Sequence, residues 1–199
     1  MFVDELLPVY DVSDTVAVEV AADPTGTWRA LMEADLIEVG RRRPLAGALG
    51  ALRMLPEIVG HLLHGEAPPK GPQSLRLRDM TESPPDEGGW LLLGELPGEE
   101  IALGVVAKVW RPRIEYAALE AEEFGHFDRP GFAKIIYALR VQPLGDDRCL
   151  LSGTMRTATT DEHARRWFRR YWTFGVGPGA HVLVQGLLEM VREDAEGSG

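Results

Sequence analysis

Between Asp14 and Ala22 the chain alternates. Val16, Val18 and Val20 fall on one side and Thr15, Ala17 and Glu19 on the other, the period of a strand with one buried face. The period then changes. Asp23-Pro24 supplies an N-cap and a proline for the first helical turn, and Trp28, Leu31, Met32 and Asp35 follow at helical spacing, which predicts a short helix directly after the strand. Beyond Arg41-Arg42-Arg43-Pro44, the residues Leu45, Leu49, Leu52, Leu55, Val59 and Leu62 recur every three or four positions. They predict a second amphipathic helix over about 43–64, kinked or broken near Pro56.

The connector Ala67-Pro68-Pro69-Lys70-Gly71-Pro72 cannot continue a helix. Strand-like runs follow near Gln73–Thr81, Gly89–Leu96, Glu100–Trp110, Ile114–Glu123, Ala133–Pro143 and Arg148–Thr159, separated by turn chemistry such as Pro97-Gly98 and Leu144-Gly145-Asp146-Asp147. Breaks this short imply antiparallel pairing, since a parallel return needs a crossover of a dozen or more residues. Thr160-Asp161-Glu162 then opens a helix that runs almost to the end, its tail over 195–199 frayed. Trp167, Tyr171 and Phe174 share one face, Val184, Leu187, Leu188 and Val191 repeat the pattern, and Gly175-Val176-Gly177-Pro178-Gly179 bends the helix between them.

The 199 residues suit a single domain over 1–199 with no internal repeat or long linker, and 45% hydrophobic with 26% charged residues is an ordinary globular composition. Thirty-one acidic against 21 basic residues give a formal net charge of −10, which disfavours nucleic acid and anionic membrane as partners over most of the surface. Asp4 and Glu5 interrupt any signal-peptide core, and Arg53, Pro56 and Glu57 interrupt the apolar stretch from Pro44 to His64, so neither export nor stable membrane insertion is expected. The lone Cys149 lies in an apolar strand pattern and reads as a small core residue in a reducing compartment, which makes a cytoplasmic location the expectation.

One strand, a helical pair, about six antiparallel strands and a long C-terminal helix resemble the START-like or SRPBCC superfamily. It includes the birch-pollen-allergen fold, lipid-transfer domains and polyketide-cyclase-like proteins. Particular stretches resemble a bacterial branch of it: Val109-Trp110-Arg111-Pro112, Phe127-Asp128-Arg129-Pro130-Gly131-Phe132-Ala133-Lys134, Arg140-Val141-Gln142-Pro143-Leu144, and the closing Thr157 to Glu162 with Arg165 to Trp172. The resemblance implies an α+β helix-grip fold, a curved antiparallel sheet of six to seven strands wrapped around the C-terminal helix, with two helices after the first strand. It implies an internal cavity but transfers no catalytic motif, because this scaffold supports carriage, cyclisation, hydrolysis and regulation alike. The helix over about 43–64 goes beyond the smallest members, and Leu52, Leu55, Val59 and Leu62 are its candidate gate or lid residues.

Several chemistries lack a required part. His61 and His64, with Glu57 a turn away, supply no third firm metal ligand. The 175–179 glycines lie between helical segments instead of between a strand and a helix, so they do not form a phosphate cradle. Ser152 sits mid-strand and not on a nucleophile elbow. The pairs Glu99–Glu100 and Glu122–Glu123 flank turns where carboxylates are usually solvated. In the run Arg165, Arg166, Arg169 and Arg170, Arg165 and Arg169 share a face apart from the aromatic stripe that suits ion pairs, which favours helix docking over nucleic acid.

The candidate pocket residues are His126, with its aromatic neighbours, together with Tyr137, Arg140, Arg156, Trp167 and Tyr171. Alternation alone leaves the face of Arg140 and Arg156 open. No catalytic residue, metal or cofactor is assigned. The expected partner is a small hydrophobic ligand such as a lipid, polyketide or isoprenoid-like molecule. A polyketide-cyclase-like or dehydratase-like enzyme using His126, Tyr137 or Arg156 is the alternative. A non-catalytic oligomer, such as a homodimer, is a further one. Convergence of two or more titratable groups inside the pocket would favour the enzyme.

Overall fold

A computed structural model describes residues 1–45, 47–48, 74–82 and 89–197. Helix α1 (Phe2–Leu6) precedes β1 (Val12–Val20), and α2 (Pro24–Glu33) and α3 (Leu36–Arg42) follow it. Helix α4 (Leu77–Glu82) leads into β2 (Leu91–Leu96), β3 (Glu100–Lys108) and the two-residue β4 (Glu115–Tyr116). A 3₁₀ turn (Ala121–Glu123), β5 (Ala133–Pro143) and β6 (Cys149–Thr159) complete the sheet. Helix α5 (Glu162–Tyr171) passes through a single π turn (Trp172–Val176) into α6 (Gly177–Glu196). The six strands form one antiparallel sheet in the order β1-β6-β5-β3-β2, with β4 pairing to β3. The long C-terminal helix packs across it, giving an α+β helix-grip architecture.

Local chemistry explains the helix ends. Asp23 accepts from Gly26 N at 2.9 Å to cap α2, and Asp35 accepts from Ile37 N at 2.9 Å to cap α3, each satisfying an amide that has no helical partner. Asp35 also accepts from Leu75 N at 3.0 Å, and Leu36 N donates to Leu75 O. One carboxylate thus starts a helix and clips the chain where it returns 40 residues later. Asp161 caps α5 through Ala164 N at 2.8 Å and accepts a short hydrogen bond from Gly131 N. The α5 N-terminus is therefore fastened to the turn before β5.

Both faces of the sheet are covered. The main core lies under α6, where Leu188 and Val191 are fully buried along with Leu151, Cys149 and Val20; burying a side chain of this kind contributes about 1.5–3 kcal/mol. The opposite face carries a second core of Val3, Leu7, Phe124 and Phe132 over Ala102, Val106, Ile136 and Ala138. Helix α1 and the chain from Ala117 to Phe132 supply that cover.

The structure corrects two sequence expectations and sharpens a third. The run near Gln73–Thr81 is no strand among the described residues: only Arg76 bridges to Asp35, and Leu77–Glu82 is helical because Leu77 and Met80 bury together at i, i+3. The strand near Ile114–Glu123 shrinks to Glu115–Tyr116, since the following residues cross to the second core and turn through a Glu120–Glu123 capping box. The glycine-rich bend is a π turn, in which Gly177 leaves room for the Trp172 indole: a Cβ there would lie 2.8 Å from that ring. The second helix, expected over about 43–64, and its gate residues Leu52, Leu55, Val59 and Leu62 lie mostly or wholly outside the described residues.

Candidate functional site

The register fixes which side chains meet α6. On β5, Ile135, Tyr137 and Leu139 face the helix, whereas Lys134, Ile136, Ala138 and Arg140 point to the second core or its margin. On β6, Leu151, Gly153, Met155 and Thr157 face the helix. Helix α6 packs against Gly153, where a Cβ would lie 2.8 Å from Val184 Cγ1. The absence of a side chain there lets helix and strand touch and leaves space on the β5–β3 side.

Between the sheet and the C-terminal helices lie two lobes. The first, about 120 Å³, is walled by Leu36, Leu77, Met80, Ile101, Leu103, Leu139, Leu183 and Leu187. The second, about 160 Å³, is walled by Val105, Val109, Ile114, Tyr116, Ile135, Met155, Thr157, Phe168, Tyr171 and Trp172. Trp90 and Tyr137 belong to both walls and meet edge to face with ring centroids 5.5 Å apart, a favourable geometry for aromatic pairs. The second lobe owes its floor to the π turn, which brings Trp172 into stacking on Phe168 with centroids 5.9 Å apart.

Among the described residues, neither lobe is lined by Asp, Glu, Lys, Arg or His. Its polar groups are the tyrosine hydroxyls, the Trp90 and Trp172 indole nitrogens and Thr157. Burial, with smaller contributions from Tyr171 and Asp14, pushes the Tyr137 hydroxyl well above the ordinary tyrosine range, so it stays a neutral phenol. Thr157 is fully buried, and its Oγ1 has no hydrogen-bond partner among the described residues. The Thr157 carbonyl is engaged, accepting from Asp11 N at 2.8 Å.

Of the six pocket candidates, the structure places Tyr137 and Tyr171 on the cavity wall and the other four elsewhere. His126 is exposed on the turn after the 3₁₀ segment and borders an outer groove beside Glu5, Leu6 and Glu95. Arg140 lies on the face of β5 turned away from α6. Arg156 is turned away too: it donates to Val3 O at 3.0 Å, Leu7 O at 3.3 Å and Asp4 at 2.7 Å, and lies over the Tyr10 ring at 4.6 Å. It pins α1 to the sheet. Trp167 is 44% exposed on α5, with Arg170 over its ring.

Sequence reasoning missed Trp90, Thr157 and the pair His181–Asp14. His181 Nδ1 lies 2.8 Å from Asp14 Oδ2 and fastens the start of α6 to the edge strand, one residue beyond Ala180 on the second lobe's wall. Cys149 is buried and donates to Thr27 Oγ1 at 3.3 Å; burial raises its thiol pKa despite that hydrogen bond, so it is an inert core group. No helix among the described residues is long and apolar enough to cross a membrane, and no group of three or more potential metal ligands occurs among them.

No family model matches the sequence, nor does any curated protein. Solved structures with a similar chain course include a conserved protein from Geobacillus kaustophilus, 13% identical, covering 94% of this chain and 97% of that one with a TM-score of 0.43. Norcoclaurine synthase from Thalictrum flavum, in complex with dopamine and hydroxybenzaldehyde, is 11% identical, with coverage of 92% and 88% and a TM-score of 0.37. CalU16 from Micromonospora echinospora is 13% identical, with coverage of 93% and 84% and a TM-score of 0.29. At these scores none of the three carries weight for function.

Proposed function

We propose that the protein binds and carries a small hydrophobic molecule in the two-lobed space between sheet and α6. The observation that carries this reading is the lining: among the described residues, mostly apolar side chains line both lobes, with a few neutral polar groups at fixed positions, as in small-molecule sites generally. A dry apolar cavity of about 150 Å³ is large enough for a benzene-sized ring, and the lobes measure about 120 and 160 Å³. Each lobe therefore suits a ring or a short branched chain, and the pair suits a molecule reaching past Trp90 and Tyr137. The described lining residues include no Asp, Glu, Lys, Arg or His, which supports carriage over proton-transfer chemistry, since the latter calls for titratable groups near the operating pH beside the reacting atom.

The test is native mass spectrometry of protein purified from its own host, with solvent extraction of any bound molecule, alongside titration with propylbenzene followed by calorimetry. A co-purifying hydrophobe, or saturable one-to-one binding of the probe, is the expected result. Apo protein from every growth condition, together with no saturable binding up to the probe's solubility, would sink the reading.

A further inference from the structure

The two lobes are chemically unequal. The first is walled by aliphatic side chains apart from the shared Trp90 and Tyr137. The second adds Tyr116, Tyr171 and Thr157. Among these Thr157 is singular, because it is fully buried and its hydroxyl has no partner among the described residues. A buried hydroxyl left without a partner destabilises a fold by about 1–3 kcal/mol, and valine would fill the same volume without that cost. Val12 on β1 and Ile135 on β5, which flank it across the sheet, and Met155 before it on its own strand face offer no side-chain hydroxyl or amide, and Thr159, after it on that face, already donates its hydroxyl to Asp11 Oδ2 at 2.6 Å.

We propose that Thr157 is the polar recognition point of the cavity, and that the ligand is an amphiphile with one uncharged hydroxyl or carbonyl group. This rests on the carriage reading above. The ligand's polar group sits in the second lobe against Thr157 Oγ1, which serves as donor or acceptor, and its apolar remainder extends past the Trp90–Tyr137 pair towards the aliphatic lobe. The polar group is neutral for two reasons. The lining holds no cation among its described residues to pair with an anion, and a buried unpaired charge is prohibitive. Asp14, which pairs with His181, lies on the same face opposite Met155 across the β1–β6 pairing, an acidic neighbour that offers a carboxylate no attraction.

The test compares 4-propylphenol, propylbenzene and 4-propylbenzoate by titration calorimetry on the wild-type chain, Thr157→Val and Thr157→Ser. In the wild type the phenol binds about tenfold tighter than propylbenzene, and the benzoate binds weakest. Thr157→Val abolishes the phenol's advantage while leaving propylbenzene affinity unchanged or improved, and Thr157→Ser retains it. A purely structural threonine would instead shift both probes equally. Thr157→Val removes an unpaired polar atom at constant volume, so it folds, and its melting temperature is at or above that of the wild type. Equal affinity for phenol and propylbenzene in the wild type, or a preference surviving in Thr157→Val, overturns the recognition point but leaves carriage standing. Binding of none of the probes overturns both.

Discussion

Filling the aliphatic lobe separates a reserved space from an ordinary packing gap. Leu103 is buried, lies on that lobe's wall and faces Tyr137 across the β3–β5 pairing. Leu103→Phe adds three carbons. In a close-packed core such an enlargement costs about 1–3 kcal/mol through strain and displaced rotamers. Here it enters a space of about 120 Å³. At about 0.8 kcal/mol per buried methylene equivalent the ceiling of the gain is near 2.4 kcal/mol, and cavity filling in practice yields about 0.5–2 kcal/mol. The expected change is a stabilisation of about 1 kcal/mol, which at this chain length raises the melting temperature by about 2–4 °C. Urea denaturation gives the sign, provided the slope with denaturant is unchanged. The ligand readout runs the other way: 4-hexylphenol, whose tail needs the filled lobe, loses at least tenfold in affinity, or about 1.4 kcal/mol, whereas phenol is unaffected. A variant destabilised by 1 kcal/mol or more would show that the lobe is not open space. A stabilised variant that binds hexylphenol normally would show that the tail lies elsewhere.

Arg156→Ala removes charged donors from Val3 O, Leu7 O and Asp4; with charged hydrogen bonds worth about 1.5–3 kcal/mol, we expect a loss of about 2–3 kcal/mol and faster proteolysis within residues 1–10, with probe affinity unchanged. Gly177→Ala drives a Cβ to 2.8 Å from the Trp172 indole and should cost about 1–3 kcal/mol while altering the near-ultraviolet dichroism of Trp172. For Asp161, hydrogen bonds from Ala164 N and Gly131 N outweigh burial and hold its pKa below the ordinary value. Its stabilisation is therefore complete above the unfolded aspartate pKa of about 3.9 and is lost as pH falls through the lower folded value. Asp161→Asn should flatten the acid limb of a stability–pH curve below pH ~4, and an unchanged limb would refute the assignment. Asp35 behaves in the same sense, because the Leu75, Ser74 and Ile37 hydrogen bonds overcome a larger raising effect from burial.

Five strands were legible because their patterning and turns agree: β1, β2, β3, β5 and β6 lie within two residues of the boundaries that pattern implies. The failures have physical causes. Leu75-Arg76-Leu77-Arg78 alternates like a strand, yet Leu77 and Met80 are also one helical turn apart, and tertiary burial at the lobe selects the helix. Helix α1 has only five residues, too few to stand without the sheet it covers. The segment after Ile114 alternates because Ala117 and Leu119 serve the second core, not because it continues a strand.

The faces of Arg140 and Arg156 stay open in the sequence for one reason. Alternation tells which residues share a face, and with both faces buried it does not say which face meets the helix. Yet β6 contained an asymmetry that decides the matter. Its odd positions read Cys149, Leu151, Gly153, Met155, Thr157, Thr159, and its even positions Leu150, Ser152, Thr154, Arg156, Ala158. The odd row is the more apolar and contains the glycine that a close-packed helix requires, so it belongs under α6, which turns Arg156 outward. The same row ends in two threonines on the face where a hydroxyl must find a partner or destabilise the fold: Thr159 donates to Asp11 Oδ2, whereas Thr157 has no partner among the described residues. In this chain that misfit within one strand face points to the cavity's polar contact more directly than the histidines and arginines, whose charge draws attention but whose parity or exposure places them outside it.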